Sequence, residues 1–301
     1  MTRNVSTPDA GTGPVAVLGL GTMGTGLATR LLARGVEVRV WNRTPERTEP
    51  LARAGAFAAG RPSEAVEGTT AAICTVADGD ALGAVLHGTD GVLARGAYPG
   101  SLICASTVAP EEVVRLAGDV PSVMDVGMLG NRDHARDGEL RLFVGGEERV
   151  FTAGRPLLDM LGKEVVHLGA LGSGMRMKLL LNLLMGIEVQ AMAEAAELAA
   201  ATGLDKQLVL KTIAGSGFAS PVMAFKSRRL ATGRFDEPDF RLRLMAKDLM
   251  LAVEQAAAEG LSLPLTAAAA ETHVRATEQG LGDEDCAAVT RAVTPEPGSH
   301  T

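Results

Sequence analysis

Apolar residues follow two different patterns along this chain, and the pattern changes near residue 170. Before that point, short apolar runs alternate with amphipathic segments, and turn residues separate them. Near-continuous apolar strands that alternate with helices are typical of a parallel sheet covered by helices on both faces. The later strands fit either that sheet or an antiparallel addition at its edge. The predicted strands are 15–19, 36–41, 71–76, 102–106, 124–128, 140–144 and 165–168.

Beyond residue 170 the pattern is helical throughout. The segment 175–201 contains no proline and a single glycine, which predicts one long helix. Because this helix is rich in alanine and methionine, it could pack against a second subunit, and we expect a homodimer. The further predicted helices are 206–213, 222–232, 242–259, 265–279 and 284–292. The predicted domains are a flexible leader at 1–13, an α/β domain at 14–169, an all-α domain at 170–293 and a flexible tail at 294–301.

Composition narrows the class of protein. A length of 301 residues suggests about two domains, and a net charge of -7 argues against nucleic acid as a partner. We expect no apolar run long and uniform enough to span a membrane, and the polar first residues lack the apolar core of a signal peptide. Cys74, Cys104 and Cys286 show no metal-binding spacing, so we predict no metal and a cytoplasmic location. Cys74 and Cys104 lie in apolar strand-like runs and are predicted to be small core residues.

A glycine-rich segment follows the first predicted strand and opens the first predicted helix. It consists of Gly19, Leu20, Gly21, Thr22, Met23 and Gly24. In this context Gly19 permits a tight turn, Gly21 lets a pyrophosphate approach the helix N-terminus, and Gly24 lets helix and strand pack closely. The segment predicts a dinucleotide site in a Rossmann-like domain. A glycine-rich turn without a ligand is the alternative.

The end of the second predicted strand distinguishes the two nicotinamide cofactors. Sites for NAD place an acidic residue there, which binds the ribose hydroxyls. This chain has Asn42, Arg43 and Thr44 instead. Arg43 attracts a 2′-phosphate and can lie over the adenine, and its two neighbours add hydrogen-bonding groups. We therefore predict NADP(H), with Val76 and Ala77 bordering the adenosine; a solvated surface arginine is the alternative.

One lysine lies on the otherwise apolar long helix. Lys178 and Asn182 are four residues apart and share a helical face. Their apolar neighbours are Met175, Met177, Leu179, Leu180, Leu181, Leu183 and Leu184. Loss of hydration favours a neutral lysine and lowers its pKa, so Lys178 is predicted to exchange a proton with a carbonyl oxygen. Asn182 would bind the same oxygen or orient the substrate. A lysine that extends to solvent at a domain junction is the alternative.

These motifs resemble those of the β-hydroxyacid dehydrogenase family over about residues 14–293. That family includes 3-hydroxyisobutyrate dehydrogenases, tartronate semialdehyde reductases and glyoxylate/succinic semialdehyde reductases. The resemblance implies a Rossmann domain plus a helical domain, with the active site in the cleft between them. It also makes Lys178 the catalytic lysine and Asn182 its partner.

Two further motifs are similar to segments of this family. Ser106 and Thr107 begin a Ser-Thr-Val-x-Pro sequence, whose hydroxyls lie near the nicotinamide and the substrate in the family. Phe240, Lys247 and Asp248 resemble its C-terminal motif. There the lysine reaches the cofactor, and the phenylalanine and aspartate border the substrate.

One motif departs from the family pattern. Where the family has Ser-Gly-Gly, which holds the substrate carboxylate, this chain has Leu129, Gly130 and Asn131; His134 replaces a further glycine. Leu129 cannot donate a hydrogen bond. Backbone amides and Asn131 would still bind a carboxylate, or the substrate has none at this position. His134 faces the cleft or is a solvated loop residue. The altered motif predicts the same chemistry on a different substrate.

The leading prediction is an NADP(H)-dependent oxidoreductase that transfers hydride between nicotinamide and a small β-hydroxyacid, aldehyde or ketone, with Lys178 as general acid/base. An NADPH-dependent imine reductase is the alternative, since such enzymes share this plan and Trp-Asn-Arg-Thr after the second strand; their helix usually lacks the lysine. A cofactor-binding protein without activity is the third hypothesis, which the retained lysine opposes. Basic residues between Lys226 and Lys247 could attract an anionic substrate, or they are solvated helix faces.

Overall fold

A computed structural model describes residues 13 to 293, so the predicted tail and all but Gly13 of the predicted leader lie outside the described residues. The chain divides into two compact units, and the division falls after Lys178. It therefore lies inside the long helix, whereas the hydrophobic pattern changes before that helix begins.

The first unit is built on an eight-stranded sheet with the order β3-β2-β1-β4-β5-β6-β7-β8. Its strands are β1 Val15–Leu18, β2 Val38–Trp41, β3 Phe57–Ala58, β4 Ala71–Cys74, β5 Ser101–Cys104, β6 Val123–Leu129, β7 Leu140–Gly146 and β8 Gly162–His167. The first six are parallel, β7 is antiparallel to β6, and β8 is parallel to β7. All seven predicted strands are confirmed, and β3 was missed because it is only two exposed residues long.

Helices cover both faces of this sheet. They are α1 Thr22–Ala33, α2 Glu49–Arg53, α3 Pro62–Ala65, α4 Gly79–His87, α5 Pro110–Leu116, α6 Arg132–Asp137 and α7 Glu148–Leu161. Alternate residues of one strand belong to different cores: Val15 and Val17 pack in one hydrophobic cluster, Ala16 and Leu18 in the other. Strands buried on both faces read as continuous apolar runs, which is why the sequence revealed them.

The second unit is helical and encloses its own hydrophobic cluster. Its α-helices are α8 Ser173–Ala201, which begins in the first unit, α9 Lys206–Ala214, α10 Pro221–Thr232, α11 Leu242–Ala258 and α12 Pro264–Ala276. The helix predicted at 265–279 ends early: a π-helical turn follows, in which Gly280 has a φ of +87°. The last predicted helix is the 3-10 helix Cys286–Ala292.

Helix α8 contradicts the expectation that no segment is long and apolar enough to cross a membrane. It has 29 residues and a mean hydropathy of 1.4 over its apolar window, which meets that test by length and composition. Of that window, 44% is buried inside the protein, and core helices of soluble proteins meet the same test.

The three cysteines are free and buried, which confirms the prediction for Cys74 and Cys104 and adds Cys286. Burial raises the pKa of the Cys104 and Cys286 thiols to about 12. These thiols are therefore neutral packing groups.

Candidate active site

The three motif glycines have different physical roles. Gly19 has a φ of +96°, and a Cβ there would lie 2.6 Å from the Thr75 carbonyl oxygen. A Cβ on Gly24 would lie 2.0 Å from the Gly19 carbonyl oxygen. At Gly21 a Cβ would meet nothing within 4 Å, although this residue stands at the N-terminus of α1. The fold therefore requires Gly19 and Gly24, whereas Gly21 leaves open space beside a helix N-terminus, the place where a phosphate group binds.

Side chains at the ends of β2 and β4 hold this glycine loop. The Leu20 amide donates to Asn42 Oδ1 at 2.9 Å, and Asn42 Nδ2 donates to the Thr44 carbonyl at 2.9 Å. Thr75 Oγ1 donates to the Gly19 carbonyl at 2.6 Å. The predicted cofactor ligand Asn42 thus fixes the loop, and the exposed Arg43 follows it directly.

The predicted substrate residue Ser106 is engaged inside the fold. It is 2% exposed. Its hydroxyl accepts from the Val76 amide at 2.7 Å and donates to the Cys74 carbonyl at 3.2 Å. Ser106 therefore joins the ends of β4 and β5, and it leaves the half-buried Thr107 and the exposed Ala77 as the more accessible predicted residues.

Strand β6 holds the catalytic candidate Lys178 near the sheet. Lys178 is half-buried, and its Nζ donates to the Met128 carbonyl at 2.8 Å. The helix approaches β6 so closely that a Cβ on Gly127 would lie 2.5 Å from the Gly174 carbonyl oxygen and 3.2 Å from Lys178 Cβ. The position of the Lys178 amine is therefore fixed by the backbone of β6 as well as by its own helix.

A buried carboxylate fixes the start of that helix. Asp125 is 0% exposed, and its two oxygens accept from the Gly172 amide at 2.7 Å and the Met175 amide at 2.6 Å. Burial raises the pKa of Asp125, and these amide hydrogen bonds oppose that shift. A negative group at a helix N-terminus satisfies amides that the helix itself leaves unpaired.

The other predicted residues of the long helix and of the C-terminal motif lie in the second unit. Asn182 is 3% exposed, and its Nδ2 donates to Asp248 Oδ2 at 2.5 Å. The other oxygen of Asp248, which is 1% exposed, accepts from Lys247 Nζ at 2.6 Å. Phe240 is half-buried and packs against the hydrophobic cluster. Asn182, Asp248 and Lys247 form a hydrogen-bonded chain. The cofactor and substrate contacts that the resemblance implies for these residues and for Phe240 stay predictions.

The apolar surroundings expected of Lys178 are incomplete. Leu180 and Leu184 are 58% and 59% exposed, so their side chains do not surround the amine. Met175 and Leu179 are buried. Neighbours in sequence point in different directions around a helix, so an apolar run does not place all of its side chains beside one amine.

The departing loop closes on itself at the start of α6. Asn131 Oδ1 accepts from the amides of Asp133 and His134, both at 3.1 Å, while the Asn131 amide donates to His134 Nδ1 at 3.1 Å. Gly130, with a φ of +144°, precedes this reciprocal pair. The two residues that replace family glycines are thus each other's partners.

Most of the basic residues between Lys226 and Lys247 are paired with acids. Lys226 contacts Asp285, Arg229 contacts Asp239, and Arg241 and Arg243 both contact Asp283. This pairing favours the interpretation as helix faces. In the part of the chain that the structure describes, no group of three or more metal-ligating side chains comes together.

Sequence reasoning gave no role to two groups that set the site: the carboxylate of Asp125 and the carbonyl of Met128. An acid inside an apolar strand is a signal that could have identified the first, since such a group needs a partner. A backbone carbonyl carries no side-chain signal, so the second required the structure.

Two family models together match nearly the whole described chain. The one described as the NAD binding domain of 6-phosphogluconate dehydrogenase matches residues 14–169. The one described as NAD-binding of NADP-dependent 3-hydroxyisobutyrate dehydrogenase matches residues 172–293.

Curated proteins of two kinds are similar to the chain. Cytokine-like nuclear factor N-PAC of Xenopus tropicalis is 34% identical over 283 residues, which cover 92% of this chain and 53% of that protein. Glyoxylate/succinic semialdehyde reductase 1 of Arabidopsis thaliana is 31% identical over 283 residues, covering 93% of this chain and 98% of the reductase. The chain thus spans about half the length of N-PAC and nearly all of the plant protein.

Solved structures share the architecture. That of 3-hydroxyisobutyrate dehydrogenase from Salmonella typhimurium has a TM-score of 0.85 and 26% identity, and it covers 93% of this chain and 99% of its own. A solved imine reductase from a Pseudomonas species, 23% identical, shares the fold alone.

Proposed function

Because the chain belongs to the β-hydroxyacid dehydrogenase family of nicotinamide-dependent oxidoreductases, we propose that it uses NADP(H) to interconvert a small carbonyl compound and its alcohol, with Lys178 as the proton donor and acceptor. One observation carries this proposal. Lys178 Nζ is fixed 2.8 Å from the Met128 carbonyl, near the carboxyl end of β6. The glycine loop follows the carboxyl end of β1, which is the same edge because β1, β4, β5 and β6 are parallel. Ligands of such sheets bind at this edge.

The residues at this edge fit a dinucleotide. Gly21 leaves open space at the N-terminus of α1, and no side chain among the described residues caps that end with a hydrogen bond. The amides there would bind the pyrophosphate. Arg43, exposed at the end of β2, would meet the 2′-phosphate, so we propose NADP(H) over NAD(H). When bound, the nicotinamide supplies or accepts the hydride.

The proton is the part of the reaction that this chain supplies. Lys178 donates its proton to the carbonyl oxygen during reduction and takes it back from the alcohol during oxidation. Its hydrogen bond to the Met128 carbonyl keeps the amine in place before substrate arrives. A preorganised donor of this kind loses little freedom during the reaction.

Replacement of Lys178 tests the proposal. Lys178→Ala is expected to lose at least a hundredfold in kcat, in line with the usual contribution of general acid catalysis, while NADPH binding measured by fluorescence is kept. Lys178→Arg keeps a donor but cannot release its proton near neutral pH, so it should be nearly as slow. Arg176→Ala, an exposed position on the same helix, is the matched control. Near-normal turnover in Lys178→Ala would remove this role.

An imine reductase is the second candidate, and the departing loop favours it. The Leu129 side chain offers no hydrogen-bond donor, and an iminium substrate needs no carboxylate anchor. Oxidation of NADPH, followed at 340 nm over a panel of aldehydes, ketones and cyclic imines with NADH in parallel, separates the two candidates. Turnover of imines alone supports the second candidate, and binding without any turnover supports a protein without enzymatic activity.

A homodimer in the cytoplasm completes the proposal. Of the large hydrophobic side chains exposed among the described residues, all but Phe57 and Val114 belong to the second unit. Exposed apolar surface of this kind commonly marks a protein interface. The free buried cysteines suit a reducing compartment. Light scattering with size-exclusion chromatography gives the mass in solution, and a monomer would contradict the first part.

A further inference from the structure

The loop beside Lys178 offers little for an anion to bind. Because the Met128 carbonyl accepts from Lys178 Nζ, the residues that follow lie next to the amine. The first of them, Leu129, is half-buried and has no side-chain donor. Gly130 then turns the chain, and α6 starts one residue beyond Asn131.

Three amides of this loop are already satisfied by the loop's own side chains. The amide of Asn131 donates to His134 Nδ1, and the amides of Asp133 and His134 donate to Asn131 Oδ1. A carboxylate would have to break these bonds before it could accept from the same amides. Unpaired backbone amides make a loop or a helix start attractive to an anion, and three of the amides at the start of α6 are already paired.

The charges of α6 do not restore an anion site. Arg136 lies 3.2 Å from Asp133 and 3.0 Å from Asp137, so its charge is matched by two carboxylates. Arg132 is exposed on the same short helix, and it is the remaining cation there that a carboxylate could reach.

We propose that residues 129–134 select against a carboxylate on a substrate bound beside Lys178, and that the substrate is a neutral aldehyde or ketone. This inference rests on the proposed function, because it assigns the substrate class of the same site. Leu129 contributes by lacking a side-chain donor, and Asn131 and His134 contribute by occupying three of the amides.

A matched pair of substrates tests the inference. Butanal and succinic semialdehyde share a four-carbon aldehyde, and only the second carries a carboxylate. We expect kcat/KM of the wild type to be higher for butanal. In the triple variant L129S/N131G/H134G, the ratio of kcat/KM for succinic semialdehyde to that for butanal should rise by about tenfold or more, the usual contribution of a regained charge-assisted hydrogen bond.

Two control variants make the result specific. Asp205→Gly removes the cap of α9, where Asp205 accepts from the Gln207 amide at 2.9 Å, and it should leave the substrate ratio unchanged. Arg132→Ala should also leave the ratio unchanged; a fall would mean that Arg132 binds the carboxylate and would overturn the inference. A wild type that prefers succinic semialdehyde would overturn it as well.

A binding measurement decides the inference without turnover. Long-range nitrogen NMR of the histidine rings follows His134 while 4-hydroxybutyrate is added to the protein with NADP+. A saturable shift of the His134 Nδ1 signal means that a carboxylate displaces the Asn131 amide, which contradicts the inference; an unchanged signal supports it. If no aldehyde or ketone of the panel is turned over, the proposed function fails, and this measurement still decides the role of the loop.

Discussion

Two fully buried aspartates show how differently the two units satisfy a charge. Asp125 in the first unit is held by backbone amides, those of Gly172 and Met175. Asp285 in the second unit also accepts from two backbone amides, those of Asp239 and Ala287, but it is paired with a cation as well: Lys226 Nζ lies 2.8 and 2.7 Å from its oxygens. Both carboxylates are 0% exposed, and Lys226 is 3% exposed.

The contrast extends beyond these two residues. In the first unit, Asn42, Thr75 and Ser106 all bond to backbone groups of neighbouring loops. In the second, the buried carboxylate of Asp248 is paired with Lys247 and Asn182. In the first unit, polar side chains thus hold loop backbone in place, and fixed backbone amides are suited to binding phosphates. The second uses them to join helices, because helices have already paired most of their own amides.

The largest expected effect comes from removing the cation of the buried pair. Lys226→Met leaves Asp285 charged, buried and deprived of its nearest cation, so the free energy of unfolding should fall by roughly 3–5 kcal/mol. Asp125→Asn in the first unit should cost less, since the amides that hold it persist and one oxygen still accepts from them.

Spectroscopy can follow the two units separately in urea. Trp41, the sole tryptophan of the chain, reports the first unit, while far-UV circular dichroism is dominated by helices. In the double variant Lys226→Met/Asp285→Asn, part of the lost stability should return because the buried charge is gone. If Lys226→Met and Asp125→Asn lowered the free energy of unfolding equally, the different ways of holding the two aspartates would make no difference to stability.

Acid should affect the two units with opposite sign. Burial lowers the pKa of His273 to about 4, so the unfolded chain binds a proton that the folded chain refuses between pH 6.5 and 4. Stability from this group is complete above pH 6.5 and is lost as pH falls to about 4, by about 3 kcal/mol in all. Burial raises the pKa of Asp125, so protonation at low pH relieves a cost in the first unit.

The difference between His273→Leu and wild type isolates the histidine contribution. His273 bonds through Nδ1 to the Ala269 carbonyl, and its Nε2 has no hydrogen-bond partner within residues 13 to 293. The variant should lose the slope of stability between pH 4 and 6.5 in urea unfolding followed by circular dichroism. His87→Gln, at an exposed site, is the control. An unchanged slope in His273→Leu would contradict the assignment.

The sequence predicted the structure of the first unit better than that of the second unit. Apolar runs predicted every strand but β3, and the spacing of Gly19 and Gly24 indicated a turn that the φ value and the 2.0 Å approach confirm. The pairing of Lys226 with Asp285, 59 residues apart, follows no local periodicity. The position of Asn42 after the second predicted strand suggested a cofactor ligand, whereas its hydrogen bond to the Leu20 amide depends on how β1 and β2 pack.

Two substitutions in the glycine loop should separate an effect on stability from an effect on cofactor binding, and both effects are smaller than those above. Gly24→Ala forces a Cβ to within 2.0 Å of the Gly19 carbonyl, so the first unit should lose roughly 1–3 kcal/mol of stability through overpacking. Gly21→Ala meets open space and should leave the unfolding midpoint nearly unchanged. Its methyl group would stand where the pyrophosphate approaches, so NADPH should bind more weakly. Calorimetric titration measures the affinity for NADPH, and urea unfolding followed by Trp41 fluorescence measures the stability. Unchanged NADPH affinity in Gly21→Ala would place the dinucleotide elsewhere.

The smallest expected effect tests whether Asn42 serves the loop, the cofactor or both. In Asn42→Asp a carboxylate oxygen can still accept from the Leu20 amide, so the loop bond at 2.9 Å is kept while the donor to Thr44 is lost. The free energy of unfolding should change by less than about 1 kcal/mol, which is the usual net contribution of one hydrogen bond. The new negative charge sits one residue before Arg43, where it repels a 2′-phosphate and favours ribose hydroxyls. The ratio of the dissociation constants of NADPH and NADH should therefore rise about tenfold, a difference of roughly 1.4 kcal/mol.

Asn42→Ala is the control variant, because it removes the hydrogen bond to the Leu20 amide without adding charge and should weaken the binding of both cofactors alike. If Asn42→Asp and Asn42→Ala gave the same cofactor ratio, the end of β2 would act only through the loop, and the assignment of NADP(H) through Arg43 would lose its support.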